Sequence, residues 1–507
     1  NSAEPGAVTG SRLVFLLVAV VFAGAVLFAL PTTALSGLIS DDALFYATIA
    51  RNMAEGSFST FDGIQPTNGY HPLWLVVLTV VFSVIGALGI EEPSIQLRLL
   101  LCLDVLCVFW TILLTDELLV RVRDHAAGTA TRLVLGVSLG LYLIAFPLSA
   151  SMLMEDTLVC LLLAWLIRDI AAARPNGATV LVPALFLARI DLLPLCLFLA
   201  LFLWLSPRFR RRGPALGLAF TVGAYAAFNT LMFGHLATVS SYLKSRMWNQ
   251  RTLIDNFVAQ VVELDNRVAL LVLTSAAALV VALAGRRWRD VTPHARSSHL
   301  LMLATGIAGL AYIGGMLAWN GNLRTWYFGW PLWIWSTLLL ASLDGLRHPA
   351  SWLAYRVPDA RIRKAIVIGA CLSLTAVSAL GIAHLRHSRD WHRPHSQYGD
   401  WLRKALPEDE PVLQVDSAGH IAFFSRRDVI SADGLVGSFD YARSLYDRAL
   451  CRYLIDHGVT YMAIDGEVRR SVIEDGPTLS WKGNRIALEP YRQLDRGYFL
   501  YRLRCRD

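Results

Sequence analysis

The sequence predicts a polytopic α-helical membrane protein of about eleven spans, followed by a C-terminal extracytoplasmic α/β domain. Three observations predict it. Of 507 residues, 55% are hydrophobic and 17% charged, whereas soluble proteins carry ~25% charged residues. Apolar stretches near or above spanning length recur from Leu13 to about His384. From Arg386 the composition turns polar, and short apolar runs such as Val412-Leu413-Gln414-Val415 and Tyr461-Met462-Ala463-Ile464 alternate with helix-like stretches. The net charge of +7 does not indicate nucleic acid, because the arginines fall in short loops between spans and report membrane orientation instead.

The spans are expected at 12–35, 98–119, 131–148, 157–172, 178–190, 191–206, 214–233, 267–285, 298–318, 330–346 and 364–384. The first stretch is too long for a signal-peptide core and lacks a convincing cleavage site, so it reads as a retained span. The basic clusters Arg121-Val122-Arg123, Arg208-Phe209-Arg210-Arg211-Arg212, Arg286-Arg287-Trp288-Arg289 and Arg361-Ile362-Arg363-Lys364 belong in the cytoplasm. That places the N-terminus inside and the C-terminus outside. His71 to Gly89 is apolar enough to span, but counting it inverts every later basic loop. It is therefore expected as a membrane-embedded or interfacial helix within a long first external loop, 36–97. The transmembrane module is expected over 1–385 and the outer domain over 386–507.

Seven cysteines show no CxxC and no Cys/His metal spacing. Cys102, Cys107, Cys160, Cys196 and Cys371 lie in apolar segments, where cysteine behaves as a small hydrophobe. Cys451 and Cys505 lie in the polar region. An exported location would allow them to pair, although spacing alone does not establish a bond.

In this orientation the unusual polar residues gather on the outer face. The first loop supplies Asp41, Asp42, Arg51, Asn68, Tyr70 and His71, and the second supplies Glu155 and Asp156. A short turn holds Arg189 and Asp191. Later loops supply His235, Lys244, Arg246 and Arg251, then Asn322, Arg324, Trp326 and Tyr327. Ionisable residues at a membrane edge are functional candidates. Each also has an ordinary reading: the acid pairs as helix caps, Arg189 with Asp191 as a mutual ion pair, the cations as lipid-headgroup contacts, and Trp326, Tyr327 and Trp330 as an interfacial aromatic belt. The joint arrangement is more specific than any member.

The run Asp41-Asp42-Ala43-Leu44-Phe45-Tyr46-Ala47-Thr48-Ile49-Ala50-Arg51-Asn52, followed by Gly56, Thr60-Phe61-Asp62-Gly63 and Thr67-Asn68-Gly69-Tyr70-His71-Pro72-Leu73-Trp74, resembles the GT-C superfamily of integral-membrane glycosyltransferases. Within it the chain is similar to bacterial enzymes related to protein O-mannosyltransferases and aminoarabinose transferases. Met154-Glu155 matches their second acidic motif, and Gly234, Ser240 and Lys244 resemble a loop near the donor. In the outer domain Asp416-Ser417-Ala418-Gly419, Phe423-Phe424 and Asp433-Gly434-Leu435 are also similar. The chain departs from the pattern in having Asp-Asp rather than Asp-Glu, and Leu153 where a glycine often stands beside the second acid.

The resemblance implies inverting transfer of a sugar from a polyprenyl-phosphate donor to a hydroxyl of an envelope glycan, glycolipid or protein, at the outer face of a bacterial inner membrane. Asp41 would be the general base, with Asp42 or Glu155 orienting it. Lys244 and Arg324 would neutralise the donor phosphate, helped by His71, Arg246 and Arg51. Asn68, Tyr70, Trp326 and Tyr327 would contact acceptor or sugar. No metal and no other cofactor is expected. A lipid or glycan transporter would share the many spans and buried charges, but the sequence shows no inverted hydropathy repeat. A non-catalytic scaffold of envelope assembly, with the acids serving as caps, is the other rival reading.

Overall fold

The computed structural model describes residues 10–122, 152–172, 175–206, 209–248, 293–320, 324–343, 392–407, 410–474, 478–494 and 497–505. The expected spans 131–148, 267–285 and 364–384, the basic clusters at 286–289 and 361–364, and Arg251, Asn322 and Cys371 lie outside the described residues. Among the described residues three helices are long and apolar enough to cross a membrane, over Pro93–Leu119, Gly213–Phe233 and His299–Met316. They coincide with the expected spans 98–119, 214–233 and 298–318. The first helix, Gly10–Ala29, stops before Pro31, because a residue preceding proline is driven out of helical geometry.

The chain divides into two compact units. One comprises Asn1–Leu27, Cys102–Phe220 and Arg251–His387. In it the helix Asp156–Ala171 packs against Ala178–Ala188, Pro293–Asn320 and Gly329–Leu343. Glycines let the last two helices approach closely, a common device where apolar helices pack in lipid. The Trp335 ring lies over Gly306 and its indole N–H donates to the Gly306 carbonyl at 3.0 Å. The expected short spans 178–190 and 191–206 are two helices of 11 and 13 residues, Ala178–Ala188 and Leu193–Leu205, joined by a turn at Ile190–Leu192. At ~1.5 Å per residue neither alone crosses a hydrocarbon layer of ~30 Å. The break falls at Arg189, whose backbone is extended (φ −156°, ψ 107°).

The other unit comprises Phe28–Leu101, Thr221–Gln250 and Ser388–Asp507. The first loop and the C-terminal segment are thus one body. Its seven-stranded mixed sheet contains β1 (Val412–Gln414), β2 (Val429–Ser431), β3 (Tyr461–Asp465), β4 (Ile473–Glu474), β5 (Thr478–Trp481), β6 (Asn484–Leu494) and β7 (Tyr498–Arg504), in the order β2-β1-β3-β7-β6-β5-β4. β1 runs parallel to both β2 and β3, while the remaining pairs are antiparallel. Leu413, Ile430, Met462 and Ile464 carry the sheet's core, joined by Val239 and Leu243 from the 239–248 helix. A disulfide joins Cys451 to Cys505, pinning the helix Leu450–Asp456 to the chain just beyond β7.

The helix Pro72–Ala87 packs on Asp41–Ala54 through Trp74, Leu75, Leu78, Phe82 and Ile85. Val76, Val80, Val84 and Leu88 form an exposed apolar stripe on its other side, so the helix is apolar on both faces, a pattern that suits contact with lipid.

The first-loop motif and a motif of the C-terminal segment meet at Gly69. A Cβ built there would stand 2.2 Å from the Leu435 carbonyl oxygen and 3.1 Å from Val436 Cα. Both obstacles are backbone and have no rotamer by which to yield. Gly69→Ala is therefore expected to lower stability by about 1–3 kcal/mol, measured by thermal unfolding of the full chain. An unchanged melting midpoint would show that the 433–437 loop moves freely off Gly69.

Candidate active site

The Asp41–Asp42 pair opens the helix Asp41–Ala54, whose N-cap is Ser40, the side chain accepting from Ala43 N–H at 3.4 Å. The pair therefore does not cap its own helix. Carboxylates in a first turn complement the helix dipole, which accounts for tolerance of both there. The Asp41 side chain is held by another helix, Ala418–Ser425, which follows β1 and leads to β2. With β1 between β2 and β3, the carboxyl end of β1 is a topological switch point, where α/β sheets commonly bind ligands. Ser417 takes a left-handed backbone (φ 53°) and turns the following N–H groups outward. Gly419 N–H donates to Asp41 Oδ2 at 3.1 Å, and His420 N–H to Oδ1 at 2.8 Å. The His420 Nδ1 lies 2.9 Å from the same Oδ1. Glycine is required at 419, because a Cβ there would fall 2.3 Å from the Asp41 carbonyl oxygen.

Burial alone would raise the Asp41 pKa, but the His420 ring and the His420 and Gly419 amides outweigh it and leave it below the ordinary carboxylate value. Behind the pair stand two further imidazoles. His392 stacks on His420 with centroids 4.9 Å apart, and His395 lies 5.6 Å from each. His395 is 1% exposed, and neither ring nitrogen has a hydrogen-bond partner among the described residues. Its Nε2 stands 3.8 Å from Asp465 Oδ2. Burial, followed by the neighbouring His420, lowers its pKa to about 3. Asp416, next to this group, is raised to about 6 by burial and then by the Asp41 charge. Among the described residues no three His, Cys, Asp or Glu side chains are grouped to hold a metal ion.

In the other unit a second carboxylate cluster surrounds Arg189, which is 1% exposed. Its Nη1 bonds Asp156 Oδ1 and lies 3.6 Å from Glu155 Oε1, while Nε donates to Asp191 Oδ1 at 3.1 Å. Tyr312 O–H donates to Asp191 Oδ2 at 2.8 Å, and the guanidinium lies 4.7 Å from the Tyr327 ring centroid. The Arg189–Asp191 pair thus extends to the second acidic motif. Glu155 occupies the N-cap position without a side-chain cap bond, so capping does not explain it. Leu153, where the resembled pattern often has glycine, has φ 63°. This is a left-handed conformation that is costly for leucine and free for glycine.

Several expected site residues have structural partners. Arg51 is 4% exposed and donates to the Phe423 and Ala422 carbonyls at 2.9 and 3.2 Å, so it caps the C-terminal end of the 418–425 helix. Asn68 donates to Asn229 Oδ1 and the Ala237 carbonyl and accepts from Val239 N–H, clamping the 229–239 turn to the first loop. Tyr70 shares a 2.6 Å hydrogen bond with Ser59. The His71 amide donates to the Tyr46 hydroxyl. Lys244 is half-buried on the helix Val239–Trp248. Arg246 is exposed, stacked over Tyr242 and Tyr446 at 4.6 and 5.5 Å. Arg324 is exposed, Tyr327 is buried, and Trp326 lies in the turn Thr325–Phe328. Sequence reasoning missed His420, although it singled out the four residues before it.

The fold is similar to that of ArnT from Cupriavidus metallidurans bound to undecaprenyl phosphate, with a TM-score of 0.56, 15% identity and 98% of each chain covered. It is also similar to the archaeal oligosaccharyltransferase AglB from Archaeoglobus fulgidus in complex with an inhibitory peptide and a dolichol-phosphate. There the TM-score is 0.51 at 11% identity, over 90% of this chain and 70% of that one. No protein-family model and no curated protein matches the chain. The likeness establishes the GT-C fold.

The buried His395 gives a pH test. It is neutral in the folded state down to about pH 3, whereas unfolded histidine takes a proton near pH 6.5. The unfolded state therefore binds more protons between these values. Stability present above pH 6.5 is lost as pH falls, by about 2 kcal/mol at pH 5. Melting of the full chain at pH 7.5 and 5 should show a smaller acid loss in His395→Phe than in the native protein. Equal losses would remove His395 as a source of acid sensitivity.

Proposed function

We propose that this protein is an inverting membrane glycosyltransferase that moves a sugar from a polyprenyl-phosphate donor to a hydroxyl of a cell-envelope acceptor. The observation that carries the reading is the Asp41 carboxylate, held ionised by three N–H donors at the head of the first-loop helix. Its setting is a fold matched end to end by a protein bound to undecaprenyl phosphate. Asp41 takes the proton of the acceptor hydroxyl. The acceptor oxygen bonds to the anomeric carbon as the bond from that carbon to the phosphate oxygen breaks, and the electron pair leaves with the polyprenyl phosphate. One base and one displacement give inversion.

The leaving group is a phosphate and needs little protonation. What it needs is positive charge, because an ammonium or guanidinium acts strongly on a phosphate in a partly dehydrated site. Lys244 has that role in this proposal, with His71 and Arg246 as helpers. Arg51 drops out because its guanidinium is engaged by two carbonyls. Asn68 drops out as an acceptor contact for the same kind of reason. Asp42 orients the acceptor hydroxyl. The reaction as written requires no metal. The membrane is the bacterial inner membrane, with the chemistry on its outer side, where the Cys451–Cys505 disulfide is at home.

Purified full chain, incubated with radiolabelled undecaprenyl-phosphate-linked hexoses and pentoses and an envelope extract, should release undecaprenyl phosphate and label the extract. Asp41→Asn should lower this transfer by roughly a hundredfold or more, with donor binding retained. Near-native transfer by Asp41→Asn together with loss in Asp42→Asn would move the base to Asp42. Lys244→Ala should raise the donor KM and leave the acceptor KM in place. Unchanged donor kinetics would leave the lysine a lipid-headgroup contact.

A further inference from the structure

Asp41 lies on the first loop, yet among the described residues every hydrogen bond that fixes its carboxylate comes from Gly419 and His420. A carboxylate offers about four acceptor positions. His420 fills both of those on Oδ1, with its backbone N–H and its ring, while Gly419 fills one on Oδ2. Among the described residues no second donor reaches Oδ2, which leaves it one acceptor position for an incoming hydroxyl. The His420 ring is itself fixed at 0% exposure. Its Nε2 lies 3.2 Å from the Ser36 carbonyl oxygen and its face is stacked on His392. Both ring nitrogens therefore face oxygen atoms, one on Asp41 and one on Ser36.

We infer that His420 is a positioning residue for the proposed base: its ring and amide hold Asp41 Oδ1, aim Oδ2 at the acceptor hydroxyl, and keep the carboxylate unprotonated. The assignment rests on the reading of Asp41 as the base, and it deepens that reading by placing the control of the base on the C-terminal segment. The groups that face Asp41 from the packed elements are His420 and Asp416 from the 416–420 turn, His395 from the helix His395–Ala405, and Asp433 from the loop after β2. Of these, only His420 donates to the carboxylate. The ring contact brings both a hydrogen bond and opposite charge, which favour the ionised acid.

The test separates the two ring nitrogens. Asparagine at 420 places an amide N–H near the position of Nδ1 and can keep the Asp41 contact. Glutamine reaches the position of Nε2 and keeps the Ser36 contact instead. The full chain, labelled with 13C at the aspartate carboxyls and held in lipid nanodiscs, is titrated by solid-state NMR, with the Asp41 signal assigned by its absence in Asp41→Asn. His420→Ala and His420→Gln should raise the Asp41 titration by about one pH unit or more, and His420→Asn should restore most of the native value. The acid limb of kcat/KM for transfer from the radiolabelled undecaprenyl-phosphate sugars should move upward in the same order. A merely structural histidine would let Gln and Asn behave alike. Native titration of Asp41 in His420→Gln would overturn the inference, and that readout needs no turnover and no intact Ala variant. Transfer surviving in Asp41→Asn is a separate failure, of the base and not of the pair.

Discussion

The interaction on which the site depends is a carboxylate seated at the N-terminus of a short helix from the far end of the chain. Backbone N–H groups at a helix N-terminus have no partner within the helix, and the helix dipole adds partial positive charge there. In many α/β proteins a phosphate or other anion fills such a place. Here the Asp41 side chain fills it. The local geometry follows from this: a left-handed Ser417 to turn the amides, a glycine at 419 to let the Asp41 backbone approach, and a histidine at 420 to close the remaining side. Arg51, three turns along the aspartate helix, caps the other end of the same short helix. The two helices are therefore tied at both ends, and Asp41 has little freedom to turn.

Much of this was legible in the sequence, and the rest was not for identifiable reasons. Hydropathy gave the apolar helices at 98–119, 214–233 and 298–318, because a helix in lipid must be apolar along its length. The motif residues of the first loop were conspicuous because acids, an arginine and an asparagine stand beside apolar spans. Their employment was not conspicuous. Arg51 and Asn68 look from the sequence like ligand-binding groups, yet each answers backbone carbonyls or amides brought close by segments far away in the chain. No local pattern encodes those partners. His420 was hidden for the opposite reason: a lone histidine in the apolar run Ile421-Ala422-Phe423-Phe424 reads as core, and only the β1–helix turn reveals its direction.

The second acidic cluster shows the same limit. Glu155, Asp156 and Asp191 gather on one arginine because the helix pair at 178–205 breaks at Arg189. Non-helical backbone among apolar helices is tolerated where protein buries it and side chains answer it. The sequence shows charge beside a short apolar run, but not that the run is two helices meeting at a polar corner. Leu153 points the same way: a positive φ at a leucine is a local cost that the surrounding packing must offset.

The His420–Asp41 contact joins residues 379 positions apart. A ribosome adding about 5–20 residues per second takes roughly 20 to 80 seconds to make the second after the first. During that interval the nascent first loop carries its acid pair with no helix to receive it. Every partly synthesised chain is thus born without a fixed carboxylate, and a product lacking its last fifth would insert its spans yet leave the acid unset. Maturation of the site is a late event in biosynthesis, timed by the arrival of the tail rather than by insertion of the membrane segments.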